Sequence, residues 1–205
     1  MWWMTALAMA GTPPRVHVDR TAREIWIYDA TGSLTHRTAV GVGRGGLGQK
    51  TAMSDLITPT GTFTVDLVIS ETGTHNAIAL RHTQRWSGDA TYGHLVDSPD
   101  GLIRLYETMS SLDFNGDGTP DRAYGTAYVG LNATDAVTGP KMRLYRGTPY
   151  WYSIALHGTP DPTSLGQARS GGCVHLPADL LQSLITTGTL ALGQTVVIAD
   201  GPPKR

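Results

Sequence analysis

Cys173, the only cysteine among 205 residues, lies in a stretch that could carry nucleophilic chemistry. It directly follows Gly171 and Gly172, and His157 precedes it by sixteen positions. A free thiol with a pKa of about 8.5 is mostly protonated at neutral pH, and a neighbouring imidazole can take its proton and activate the sulfur. The pattern therefore predicts Cys173 as a nucleophile and His157 as its base.

The glycines before the cysteine could supply the donors that acyl transfer needs. Glycine permits backbone conformations that bring successive N–H groups into one concavity. The amides of Gly171, Gly172 and Cys173 could therefore hold a developing oxyanion. The alternative is a small buried side chain in a glycine-rich turn, as most single cysteines are. The nearby histidines favour the nucleophile.

The elements predicted around these residues would hold them firmly. The apolar run at residues 151–156 predicts a strand, and its end is a rigid place for the base His157. Residues 176–188 predict a helix, because Pro177 suits its first turn, its leucines share one face and Gly188 suits the position after its end. This helix would begin directly after Cys173, and its positive N-terminal partial charge would lower the thiol pKa if the sulfur lies near it.

Short alternating segments separated by turn residues dominate the rest of the chain. Residues 15–19 and 24–29 predict a β-hairpin, and a Thr-Pro-Thr-Gly turn leads into an alternating run within residues 58–65. Further strands are predicted at residues 35–42, 78–81, 102–106, 124–131 and 195–199. The expected fold is mainly β, a sandwich-like or barrel-like pair of sheets with one helix following the cysteine.

Length and composition limit the domain organisation and the function classes. The chain is long enough for one domain with a real core. A net charge of −1 and a charged fraction of 16% give no basic field for nucleic acid. The apolar run at residues 2–10 is typical of a secretory leader and too short for a membrane span, although it could instead pack on the domain. We expect a leader over residues 1–11 and a catalytic domain over residues 12–205.

Two motifs in the right order resemble the YkuD-type L,D-transpeptidase catalytic domain. That family's signature is a histidine, a variable spacer, then Ser/Thr-His-Gly-Cys, a hydrophobic residue and Asn or Arg. The residues that match it are His157, Ser170, Gly172, Cys173 and Val174. The sequence TPTGTF at residues 58–63 is similar to the family's upstream Thr-Pro-x-Gly-x-Phe strand. The resemblance covers residues 15–199.

Two positions depart from this signature. Gly171 stands where the family has a histidine, which leaves His157 as the histidine of the signature that can serve as base. His175 stands at the family's Asn or Arg position, where it could help to orient Cys173 or hold the substrate carboxylate.

The resemblance implies acyl transfer between peptidoglycan stem peptides. His157, oriented by the carbonyl of Gly158, would take the proton of Cys173. The thiolate would attack the carbonyl at the L-centre of the diamino acid at stem position three and expel the terminal D-alanine. An amine of a second stem peptide would then give a 3→3 cross-link, whereas water would make the protein an L,D-carboxypeptidase.

The resemblance also implies the supporting residues, partners and location. Gly172, with Gly171 and Ser170 beside it, would support the oxyanion, and His175 and Tyr152 would contact the substrate. The resemblance implies an extracytoplasmic protein that needs no metal for catalysis and that carbapenem-type inhibitors could acylate. No nucleic-acid partner and no stable membrane span are expected.

Two further function classes stay open. The chain could be a cysteine peptidase that hydrolyses cell-wall peptides, and it would then release product without cross-linking an acceptor. It could also be a non-catalytic wall-binding module that lost its activity together with the histidine that Gly171 replaces. Covalent labelling of Cys173 separates the two enzymes, the transpeptidase and the peptidase, from the non-catalytic module.

A second candidate site lies in the segment DFNGDGTPD. Its polar residues fall at positions 1, 3, 5 and 9 of a calcium loop, and they are Asp113, Asn115, Asp117 and Asp121. Tyr124 occupies position 12, where a bidentate glutamate should be. The pattern predicts a structural calcium ion, and the alternative is a surface loop that needs Asn, Asp and Gly for its turns.

Overall fold

The computed structural model describes residues 15–132 and 139–204, so the leader expected at residues 1–11 lies outside the described residues. Thirteen strands occur in these two ranges: β1 (Val16–Asp19), β2 (Glu24–Tyr28), β3 (Leu34–Ala39), β4 (Val42–Gly43), β5 (Gly61–Ser70), β6 (Ala77–Ile78), β7 (Ala127–Asn132), β8 (Lys141–Tyr145), β9 (Thr148–Tyr152), β10 (Ala155–His157), β11 (Ala168–Ser170), β12 (Val174–His175) and β13 (Thr195–Ala199). The same ranges contain four α-helices: α1 (Leu80–Trp86), α2 (Gly93–Val96), α3 (Pro99–Ser110) and α4 (Ala178–Thr186). The mainly β prediction is confirmed.

Nine of these strands form one large sheet. Its order is β12-β10-β7-β5-β13-β1-β2-β3, and β6 pairs with β5. The predicted hairpin of β1 and β2 is present, with Val16 opposite Ile27. At the other edge, β10 lies between the antiparallel β7 and the parallel β12. His157 ends β10 and Cys173 directly precedes β12, so this edge brings together two residues that lie sixteen positions apart in the sequence.

Apolar side chains cover both faces of the large sheet. One cluster packs Val65, Leu156 and Val174 beneath helix α4. The opposite cluster packs Tyr128 and Ala155 beneath helix α3, and Cys173 contacts this second cluster. Because side chains alternate along a strand, Leu156 and His157 face opposite sides of the sheet.

Helix α3 corrects the strand predicted at residues 102–106, and α1 begins where the strand predicted at residues 78–81 should continue. The Ser98 side chain accepts a hydrogen bond from the Gly101 amide and caps α3, and Pro99 occupies its first turn. Its buried side chains include Leu102, Leu105, Tyr106 and Met109, with the spacing of one helical face. None of the helices in the described ranges is long and apolar enough to cross a bilayer.

Helix α4 is present, but it does not follow the cysteine directly. Strand β12 comes between them, and the helix begins at Ala178 with Pro177 at its N-cap. Gly188 has φ +73° just after the C-cap, as predicted for a left-handed terminal glycine. The thiol therefore sits at the end of a strand, and the helix terminus is five residues further along the chain.

Candidate active site

The pairing of β10 with β12 brings the cysteine and two histidines to one face of the sheet. The parallel register places Leu156 beside Val174 and His157 beside His175. Cys173 precedes Val174, so it shares the face of His175 and of His157. The two imidazole rings lie 4.8 Å apart between centroids.

His157 is a buried imidazole with one nitrogen engaged by the backbone. Its Nδ1 lies 2.6 Å from the carbonyl oxygen of Gly158. A carbonyl can only accept, so Nδ1 carries the proton and Nε2 keeps a lone pair. The rings of Tyr124 and Tyr128 lie 5.2 and 6.0 Å away. Burial, and next the nearby His175, lower the pKa of His157 from 6.5 to about 3, so this imidazole is neutral at pH 7.

Cys173 is partly exposed, and its thiol is protonated at neutral pH. The S–H donates to the carbonyl oxygen of Ser153 at 3.8 Å. Burial raises the thiol pKa from 9.0 to about 11, while the backbone of Ala155 and the charge of Lys50 act in the opposite direction. The sequence predicts that a helix terminus would lower this pKa if the sulfur lay near it. The net shift is upward, and strand β12 comes between Cys173 and helix α4 along the chain.

Ser170 holds the turn that precedes the cysteine. Its hydroxyl donates to the carbonyl oxygen of Cys173 at 2.6 Å and accepts from the amide of Gly172 at 3.0 Å. The Gly172 amide is therefore engaged within the turn, and the amides of Gly171 and Cys173 remain the oxyanion candidates. Gly172 has φ +119°, where a side chain is strained. A Cβ there would also lie 3.0 Å from the carbonyl oxygen of Ile57.

A buried ion pair lies beneath this turn. The Lys50 ammonium donates to Asp55 at 2.8 Å and to the carbonyl oxygen of Ile57 at 3.0 Å. Only 2% of the Lys50 side chain is exposed. A Cβ on Gly172 would lie 3.5 Å from its nitrogen, so the ammonium approaches the turn closely. Lys50 is thus the cation that lowers the thiol pKa from below the turn.

Cys173, His157 and His175 open onto one cleft of about 720 Å³. Tyr152, which the family resemblance predicts to contact the substrate, lines this cleft together with Gly171 and Tyr124. Burial raises the pKa of Tyr152, so its hydroxyl is neutral and available as a donor. The cationic residues Arg44 and Arg169 also reach the cleft. The arrangement can bind a peptide and present a carbonyl carbon to the sulfur.

The comparison with protein families rests on nearly the whole chain. The family model of the L,D-transpeptidase catalytic domain, YkuD, matches residues 13–198. The chain belongs to this family. No curated protein is similar to the chain at a significant level.

Several solved L,D-transpeptidases are similar to the chain at low sequence identity. The enzyme of Xylanimonas cellulosilytica is 14% identical, with 91% of this chain and 63% of that chain covered and a TM-score of 0.43. LdtMt1 in complex with imipenem is 11% identical, with 90% and 57% covered and a TM-score of 0.43. The catalytic domain from E. faecium is 16% identical, with 92% and 98% covered and a TM-score of 0.38. The chain thus spans less than two thirds of the first of these structures, and its family membership rests on the family model.

The two departures from the L,D-transpeptidase signature have different surroundings. Gly171 is exposed, and a Cβ there would meet no atom within 4 Å, so the place of the family's histidine is open space. His175 is held tightly, because its amide and carbonyl both bond to Gly41 at 2.9 and 3.0 Å. Its Nδ1 lies 3.2 Å from the hydroxyl oxygen of Ser164.

The predicted calcium loop folds around its own hydrogen bonds. Asp113 accepts from the amides of Gly116 and Gly118, and Asp121 accepts from the amides of Phe114 and Asn115. Asp117 accepts from the amide and the hydroxyl of Thr119. Across residues 15–132 and 139–204, no three His, Cys, Asp or Glu side chains converge as metal ligands. These carboxylates accept turn hydrogen bonds in this structure, and calcium binding by the loop stays a prediction.

Several residues of the site gave no signal in the sequence. Ser153, Tyr124 and Tyr128 contact the cysteine or the histidine only because the sheet brings distant segments together. Lys50 follows the glycine-dense stretch at residues 41–48, and nothing in its sequence context marks it as part of the site.

Proposed function

We propose that this chain is an L,D-transpeptidase that cross-links peptidoglycan stem peptides with Cys173 as nucleophile and His157 as base. The observation that supports it best is the register of β10 and β12, which places both residues on one face of one cleft. The fixed tautomer of His157 adds to this support, because Nε2 is left to accept a proton.

The acylation step begins with a neutral thiol beside a neutral imidazole. Since the thiol pKa is about 11 and the His157 pKa about 3, proton transfer accompanies the attack rather than preceding it. Rotation about the Cα–Cβ bond of Cys173 turns the sulfur from Ser153 toward His157 and the substrate carbonyl. The C–S bond then forms, and the imidazole passes its proton to the departing amine of D-alanine.

The turn and the ion pair beneath it stabilise the charge that develops. The amides of Gly171 and Cys173 donate to the oxyanion, and the buried ammonium of Lys50 lowers the energy of nearby negative charge. Arg44 and Arg169 at the cleft provide cations for the carboxylates of a stem peptide.

The second step transfers the acyl group to an amine of another stem peptide and yields the 3→3 cross-link. If water takes the place of that amine, the same site is an L,D-carboxypeptidase. Both reactions place the protein outside the cytoplasm, where peptidoglycan lies. Because LdtMt1 was solved in complex with imipenem, we also propose carbapenems as acylating inhibitors of this chain.

Mass spectrometry of muropeptides tests the reaction. The protein is incubated with stem tetrapeptides, and the products are searched for 3→3 dimers and for tripeptide without dimer. Dimers support transpeptidation, and tripeptide alone supports the carboxypeptidase. The Cys173→Ala variant is the control, and equal product from this variant contradicts both.

A further inference from the structure

His175 is held in the cleft by hydrogen bonds of its backbone and of its side chain. It bonds through both backbone groups to Gly41. A Cβ on Gly41 would come within 3.0 Å of the Cβ of His175 and 2.9 Å of the Ser164 carbonyl oxygen, so these three residues are in close contact. The position of the imidazole is thus fixed from the backbone and from the side chain.

The hydrogen bonds around Ser164 determine which nitrogen of His175 carries the proton. The Ser164 hydroxyl donates to the carbonyl oxygen of Asp161 at 2.7 Å. The oxygen of this hydroxyl is therefore the acceptor toward Nδ1 of His175, 3.2 Å away. Nδ1 then carries the hydrogen and Nε2 a lone pair, the same state as in His157.

The two imidazoles differ in access to the cleft. His157 is only 5% exposed and contacts the rings of Tyr124 and Tyr128. His175 is partly exposed on the same cleft, and the rings are 4.8 Å apart. A nucleophile that enters from solvent after the D-alanine has left meets His175 first.

We propose that His175 is a second proton-transfer residue, which serves the incoming nucleophile while Ser164 holds its tautomer. This rests on the proposed function of the site. The neutral amine forms the new bond to the thioester carbonyl carbon, and its proton passes to Nε2 of His175. The C–S bond breaks, the sulfur leaves as thiolate, and the proton passes on to it through the adjacent His157. The thiol and two neutral imidazoles are regenerated.

The charged and titratable groups that face His175 leave it able to work near neutral pH. They are His157 and Cys173, on the same face of the sheet as His175, and Asp161, which lies in the same loop as Ser164. Burial lowers the pKa of His175, and the Asp161 carboxylate opposes this effect. Arg169 in turn interacts with Asp161. The imidazole is therefore unprotonated at neutral pH and gains a proton in acid.

The test separates the two half-reactions with the variant His175→Asn, which keeps a polar side chain but has no base. Intact-protein mass spectrometry follows acyl-enzyme formation with stem tetrapeptide alone, and then its decay when acceptor peptide is added. We expect the variant to acylate within about threefold of the parent and to lose roughly a hundredfold in the decay rate, the size of a general-base effect. The parent should also show an additional fall in decay rate toward acid pH that the variant lacks, beyond the protonation of the acceptor amine that both proteins share. Ser164→Ala should slow the same step by a smaller factor, and His36→Asn on the exposed strand β3 should change neither step.

Each outcome decides between the two proposals. If the variant forms acyl-enzyme but decays at the parental rate, or if both steps slow equally, the role of His175 is overturned and the proposed function stands. If the parent itself forms no acyl-enzyme with the tetrapeptide, the proposed function is contradicted, and the role of His175 is overturned with it. Thermal melting of each variant shows whether a lost rate reflects lost folding.

Discussion

The buried, neutral state of His157 makes the stability of the folded chain depend on pH. In the unfolded chain this imidazole gains a proton below its ordinary pKa of 6.5, whereas in the folded chain the pKa is about 3. Between these values the unfolded state binds more protons, so stability falls as the pH falls. At 1.36 kcal/mol per pH unit, the full loss is about 5 kcal/mol, of which about 3 kcal/mol has occurred by a pH of about 4.5.

The variant His157→Asn isolates this effect, because its amide can still donate to the Gly158 carbonyl but does not titrate. Urea unfolding at several pH values between neutral and about 4.5 gives the free energy of unfolding of both proteins. We expect the stability of the parent to fall by roughly 3 kcal/mol more than that of the variant over this range. His175 and the acidic groups titrate in both proteins and largely cancel. Parallel curves, within about 0.5 kcal/mol, would refute a buried neutral imidazole at this position.

Three further outcomes are expected from the site and the loop. Gly172→Ala should lower the free energy of unfolding by about 1–3 kcal/mol, because φ is +119°, whereas Gly171→Ala should melt like the parent. Lys50→Met removes the cation that lowers the thiol pKa, so alkylation of Cys173 by iodoacetamide at mildly alkaline pH should slow about tenfold for each pH unit that the pKa rises. Isothermal titration of EGTA-treated protein with calcium should give saturable heat if the loop at residues 113–121 binds the ion as its sequence predicts, and no heat above buffer would contradict that prediction.

Cys173 and His157, which we propose as the catalytic pair, could be selected from the sequence because their signals are local. A cysteine after two glycines is unusual in itself, and the apolar run before His157 predicts a strand end. The hairpin at the N-terminus and the helix after the cysteine were likewise predictable from alternation and from terminal Pro and Gly residues. These features depend on short stretches of chain, where propensity and spacing act directly.

Helix α3 shows how a local pattern can be misread. The stretch LIRLY alternates like a strand over five residues, and the helical spacing becomes clear only when Met109 is included. The capping serine and Pro99 were visible in the sequence and would have corrected the prediction.

The protonation state of the site could not be predicted from the sequence. It depends on how deeply the sheet buries Cys173 and His157, and on the long-range contact that places Lys50 beneath Gly172. A helix terminus was expected to lower the thiol pKa if the sulfur lay near it, but strand β12 comes between Cys173 and helix α4. The thiol pKa of Cys173 is raised rather than lowered because distant segments of the chain bury it.

The most direct test of the central claim is the covalent attachment of substrate to Cys173. The protein is mixed with a stem tetrapeptide and, separately, with a carbapenem, and its intact mass is measured at short times. We predict a mass increase equal to the tripeptide acyl group or to one carbapenem, located on Cys173 by peptide mapping. The increase should be absent in Cys173→Ala and strongly slowed in His157→Asn. An unchanged mass with both reagents, in protein shown to be folded, would contradict the assignment of Cys173 as the nucleophile.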